Sequence, residues 1–208
     1  MKNCAVKSSA LVLLALMFAL VAPINEEGQF GLSPVYAAEE KSEKKQKTRR
    51  VPSLSESVYK KLGEGQEAID AKDYNLAQEI IQGALDRSRR YNENEIANLH
   101  NMLGYIYYLK DDYDGAICEY KIVVNQGEKI PEGLEVTTLY TLAQLSYVQE
   151  NYDDALYYME VWITKATNPS SAPRFFLATV YYQMKDYDKA VEQMELGVQI
   201  AQERNTTI

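Results

Sequence analysis

The sequence predicts an all-α solenoid built from four helix–turn–helix units. Two observations carry this. One short stretch recurs as Asp73-Tyr74-Asn75-Leu76-Ala77, Asp112-Tyr113-Asp114-Gly115-Ala116, Asn151-Tyr152-Asp153-Asp154-Ala155 and Asp186-Tyr187-Asp188-Lys189-Ala190, with its tyrosines 39, 39 and 35 residues apart. A fixed period of that size is the mark of stacked supersecondary units. Around each copy, apolar residues fall at helical spacing and no strand alternation intervenes.

In chain order, residues 1–37 come first. Lys2 and Lys7 precede a 13-residue apolar run, Ala10 to Ala22, and Val35-Tyr36-Ala37 offers a small-x-small cleavage site. The arrangement reads as a secretory signal peptide cut after Ala37. The run is shorter than the ~20 residues an uncleaved anchor needs. A cut after Ala22 would set Pro23 beside the scissile bond. Loss of Cys4 with the leader would leave Cys118 without a disulfide partner in the chain. Cys118 then reads as a small buried hydrophobe rather than a reactive thiol, since neighbouring Glu119 disfavours a thiolate.

Residues 38–52 carry Lys41, Lys44, Lys45, Lys47, Arg49 and Arg50 against Glu39, Glu40 and Glu43, with almost no large apolar side chain. Such a segment buries too little to offset its ordering entropy and reads as a charged, disordered leader. Its basic part, 41–50, also suits a weak electrostatic tether to an anionic membrane surface or an acidic partner.

The repeats fill 53–208, with units near 58–96, 97–135, 136–170 and 171–204. Second helices follow each signature, as in Tyr152, Ala155, Leu156, Met159, Trp162 and Ile163, or Tyr187, Ala190, Val191, Met194 and Val198. First helices precede it, as in Leu99, Met102, Leu103, Ile106 and Tyr107, or Leu139, Leu142, Ala143 and Leu145. The Asp or Asn before each tyrosine suits an N-cap, and acidic residues after it suit the helix dipole. Pro131 and Pro173 stand where first helices begin. The 39-residue spacing leaves five extra residues at each of the first two junctions, which longer second helices or longer loops would absorb equally. The first unit is the most diverged, as a terminal cap is.

These units resemble the tetratricopeptide repeat (TPR), a 34-residue helix–turn–helix motif. The family's small eighth position falls on Gly65, Gly104, Ala143 and Ala178. The preceding Leu is present as Leu103, Leu142 and Leu177, with Glu64 in the first unit. The eleventh-position Tyr is Tyr107 and Tyr181, with Ala68 and Ser146 in the other units. The closing proline is missing throughout. The resemblance implies a right-handed superhelical solenoid whose first helices line a concave face. The positions free to bind there would be Tyr59, Leu62, Gln66 and Ile69 in the first unit, and Asn98, Asn101, Tyr105 and Tyr108 in the second. Thr137, Tyr140, Gln144 and Tyr147 follow in the third, and Ala172, Phe175, Thr179 and Tyr182 in the fourth.

Rings and amides dominate that face and no Lys or Arg appears. It therefore suits an extended or helical peptide from a protein partner rather than a clamped C-terminal carboxylate. Tyr108, Tyr147 and Tyr182 share one register as the wall of such a groove. The alternative use of these tyrosines is packing between repeats. A narrower resemblance rests on Ile130-Pro131-Glu132-Gly133-Leu134-Glu135-Val136-Thr137-Thr138-Leu139-Tyr140-Thr141-Leu142-Ala143-Gln144-Leu145. It looks like periplasmic repeat proteins that accompany TonB–ExbB–ExbD systems, and it implies a periplasmic accessory of outer-membrane uptake.

Little here suggests chemistry. No Gly-rich phosphate loop is present. His100 is the single histidine, expected at a packing position. Asp111–Asp112 and Asp153–Asp154 read as solvated turn residues. No catalytic, cofactor-binding or metal-binding residue is expected, and the chain reads as a scaffold rather than an enzyme. The net charge is −8 overall. From Ser53 onward, 14 basic residues face 25 acidic ones, a net −11, which opposes a nucleic-acid partner. Two alternatives stand beside the partner-binding scaffold. One is a self-assembling homo-oligomer joined through the apolar last helix, and the other is an adaptor for a cell-envelope or secretion enzyme.

Overall fold

Each signature stretch starts a helix. The computed structural model describes residues 49–167 and 169–206; the expected signal peptide and residues 38–48 lie outside them. Eight α-helices follow: α1 (Glu56–Asp70), α2 (Tyr74–Leu85), α3 (Glu93–Leu109), α4 (Tyr113–Val124), α5 (Glu132–Val148), α6 (Tyr152–Lys165), α7 (Ala172–Gln183) and α8 (Tyr187–Thr206). No strand occurs among the described residues. The helices pair as four units, and packing runs chiefly between chain neighbours, with α1 also touching α3. This is the all-α helix–turn–helix solenoid expected from the repeat.

The turn within each unit is the same device four times. Lys72, Asp111, Glu150 and Lys185 hold left-handed backbone, with φ of 60°, 58°, 57° and 63°. The Lys72 N–H donates to the Ile69 carbonyl and the Asp73 N–H to the Ala68 carbonyl, at 2.8 and 2.9 Å. The same pair of bonds recurs at Asp111–Asp112, Glu150–Asn151 and Lys185–Asp186. This is a Schellman closure, usually made with glycine. The next residue then caps the second helix. The side chains of Asp73, Asp112, Asn151 and Asp186 accept from the backbone N–H of Leu76, Gly115, Asp154 and Lys189, at 3.0, 2.9, 3.2 and 3.3 Å. One residue thus closes the first helix with its N–H and opens the second with its side chain.

The extra junction residues lengthen neither second helix: α2 and α4 have 12 residues each against 14 in α6. They form 3-10 turns at Ser88–Arg90 and Gly127–Lys129 and start α3 and α5 early, at 17 residues each. Pro131 is the residue before the first turn of α5, and Pro173 lies within the first turn of α7.

Small residues set the helix spacing. Ala77, Ala116, Ala143 and Ala155 are fully buried. A Cβ on Gly104 would stand 2.9 Å from the Tyr120 ring, and one on Gly65 2.8 Å from Met102 Sδ. The two ends of the solenoid differ. Lys60, Gly63, Glu64 and Glu67 of α1 take the places that Leu99, Met102, Leu103 and Ile106 hold in α3. The first unit therefore turns a polar face outward, as a capping repeat does.

One expectation needs correction. Residues 49–52, assigned to a disordered leader, are held along the starts of the first helices. Arg49 donates to the buried Glu135 carboxylate and the Pro52 carbonyl accepts from Asn94. The chain continues with Ser53, whose carbonyl accepts from Asn92, and Ser55, whose N–H donates to the buried Glu95 at 2.8 Å. Buried carboxylates supply the binding strength that apolar side chains do not. Cys118 is half-buried on α4.

Candidate functional site

The twelfth position of three units carries a tyrosine, and each packs on the signature tyrosine five residues later. Tyr108 meets Tyr113 at 5.9 Å between ring centroids, Tyr147 meets Tyr152 at 5.5 Å and Tyr182 meets Tyr187 at 5.6 Å. The three-residue turn sets this pairing, because it folds the last turn of the first helix back beside the first turn of the second. Tilted or edge-on rings suit their quadrupoles. The signature tyrosine, read from the sequence as scaffold alone, thus also buttresses the predicted wall. Its constant five-residue offset was the available signal.

In the second unit Tyr105 stacks on Tyr108 at 6.4 Å with the rings 15° apart. In the third, Tyr140 lies 5.5 Å from Trp162 and 5.9 Å from Phe176, and Tyr147 lies 5.6 Å from Phe176. Phe176, which the sequence reading left off the face, joins these rings across the junction. Burial pushes the hydroxyl pKa values of Tyr105, Tyr108 and Tyr113 upward, so these groups stay neutral donors.

The amide and hydroxyl positions divide. The Asn98 side-chain amide donates to the Asn94 carbonyl and to its side-chain oxygen, at 2.8 and 2.9 Å. Thr179 donates to the Phe175 carbonyl at 2.9 Å. Both are turned onto their own helices. Phe175 lies over α8, where a Cβ on Gly197 would come within 2.4 Å of its ring. Among the ten positions Asn98, Asn101, Tyr105, Tyr108, Tyr140, Gln144, Tyr147, Phe175, Thr179 and Tyr182, none is fully buried. Thr179 and Tyr182 are exposed, Tyr182 at 61%, and the rest are half-buried. The structure therefore brings the tyrosines together as a ring-lined surface and leaves Asn98 and Phe175 to internal packing.

This surface is open. Two clefts of about 290 and 250 Å³ lie elsewhere, one against α1, α2 and Tyr91, the other among α4, α5 and α6. Neither is lined by any of the ten positions. An open ring-lined strip suits a polypeptide better than a small molecule. His100 bonds Glu119 at 2.6 Å, tying α3 to α4. Among the described residues no His, Cys, Asp and Glu group could hold a metal ion, and no helix is long and apolar enough to cross a membrane.

The fold is that of a TPR-like helical repeat protein. Solved structures agree. MamA is similar at 15% identity with a TM-score of 0.59, over 72% of this chain and 81% of MamA. BtubC (BKLC) from P. vanneervenii is similar at 18% identity with a TM-score of 0.60, over 71% of this chain and 64% of BtubC, so the chain spans less than two thirds of that protein. No protein-family model and no curated protein matches the sequence.

Proposed function

We propose that the protein is a non-catalytic scaffold that holds a protein partner against the tyrosine-lined face of its first helices. The observation that carries this is the pair Tyr108–Tyr113, repeated as Tyr147–Tyr152 and Tyr182–Tyr187. Three like ring pairs in one register offer repeated contact area at low rotamer cost. The finer reading places the chain in the periplasm as an accessory of a TonB-type uptake system. It rests on the export-type pattern of residues 1–37 and on the stretch Ile130 to Leu145.

Crosslinking in cells followed by partner identification tests both levels. Recovery of inner- or outer-membrane transport components is the expected result. Recovery of a cell-wall or secretion enzyme instead would move the role to an adaptor for that enzyme. For the surface itself, Tyr182→Ala removes an exposed ring, so melting should stay unchanged while partner capture falls by about tenfold, the scale of a truncated hot-spot aromatic. Unchanged capture by folded Tyr182→Ala and Tyr108→Ala variants would reject the surface.

A further inference from the structure

The last helix leaves a repeat interface open. Ile81, Tyr120 and Met159 occupy one position of α2, α4 and α6, and all three are buried. Leu85, Val124 and Ile163, one turn on, are half-buried. Ile117 and Leu156, one turn before, are half-buried in α4 and α6. α2, α4 and α6 each pack against the first helix of the next unit, and α8 meets no such helix among the described residues. In α8 the same three positions are Val191, Met194 and Val198, and they stand 57%, 47% and 44% exposed. Tyr187 extends this stripe by one turn and is 55% exposed.

We propose that this face is a docking site for a basic amphipathic helix of a partner protein, which lies on α8 as α7 lies on α6. Continuity with the repeat interface sets the shape of the occupant. The face occupies the positions that are covered on the second helix at every earlier junction. The matching helix carries apolar residues at i, i+3, i+4 and i+7. Charge sets its sign. The exposed carboxylates Glu192 and Glu195 flank the stripe, and the repeat body carries a net −11. A second copy fits less well in either orientation. Head-to-tail stacking would set the stripe against the polar outer face of α1, with Lys60, Glu64 and Glu67. Pairing of α8 with α8 would bring like-charged flanks together.

The stripe shares Tyr187 with the ring-lined face, but Met194 and Tyr182 each belong to one of the two alone, so substitutions at these residues test the sites separately. The probe is a labelled peptide of residues 171–185 of this chain, the α7 sequence. It carries Arg174 and Lys185 and no acidic side chain. Titrated with the full chain and read by fluorescence anisotropy, it should bind saturably with a Kd of about 100 µM or tighter, and more weakly as salt rises. Met194→Lys changes a solvent-facing side chain, so melting should hold while the Kd rises by more than about tenfold. No saturable binding at millimolar protein overturns the proposal, as does equal binding by folded Met194→Lys. Sedimentation supplies the remaining outcome. A concentration-dependent dimer abolished by Met194→Lys would give the face to a second copy and overturn the partner-helix assignment.

Discussion

Gly104 lies against the Tyr120 ring, and the two residues are one packing decision. Where the second unit pairs Gly with Tyr, the third holds Ala143 and Met159 at the same two positions. Gly104→Ala should therefore cost about 1–3 kcal/mol by overpacking. Adding Tyr120→Met should recover most of it, a non-additivity readable in a denaturant double-mutant cycle. Independent, additive losses would show that the contact is not shared. The αL residues give a prediction of opposite sign. Lys72 has φ of 60° within its Schellman turn. Lys72→Gly should stabilise by roughly 0.5–1 kcal/mol, the relief of left-handed strain less the added unfolded-state entropy. A raised urea midpoint at unchanged m-value checks it.

Elements are joined by a recurring rung between units. Lys110, at the end of α3, donates to Asn75 of α2 at 2.9 Å, and Gln149, after α5, donates to Asp114 of α4 at 3.0 Å. Both rungs link residues 35 apart in the chain. At the third junction the corresponding residues are Met184 and Asp153, which cannot form the bond. Met184→Lys should complete the series and add about 0.5 kcal/mol, the scale of an exposed charged contact. Thermal melting at low and high salt checks it, since the gain should fade as salt rises. No gain at low salt would show that the third junction is spaced differently from the first two.

For the whole molecule, residues 49–55 act as a strap across the starts of α5, α3 and α1. Its anchors are Glu135, bound by Arg49 and by Lys165 at 3.0 Å, and Glu95, which also completes the capping box of α3 with Asn92. Burial pushes the Glu95 carboxyl up, but hydrogen bonds from Ser55 and from the Asn92 backbone outweigh it and leave the group below the usual carboxylate range. A folded pKa below the unfolded one gives stability that is present above the unfolded value and lost as pH falls through the folded value. The stability advantage of wild type over Glu95→Gln should therefore shrink between about pH 6 and pH 3. A constant gap in urea midpoint across that range would remove Glu95 from the strap's pH response.

Local rules made much of this legible. The four caps, the proline starts, the small residues and the unit register follow from side-chain type and helical period, which act within a few residues. The ring-lined wall was half legible. The shared register of Tyr108, Tyr147 and Tyr182 shows in the spacing, whereas the turning of Asn98 and Phe175 onto their own surroundings depends on neighbours that spacing does not place. By itself the sequence determined an all-α repeat solenoid and the register of its four signature turns. Only the tertiary structure decided three further matters: that the extra residues lengthen α3 and α5, that residues 49–55 dock on two buried carboxylates, and that the stripe on α8 stays uncovered. Each of these turns on which surfaces meet across distant positions, and burial is a property of the pair rather than of either segment.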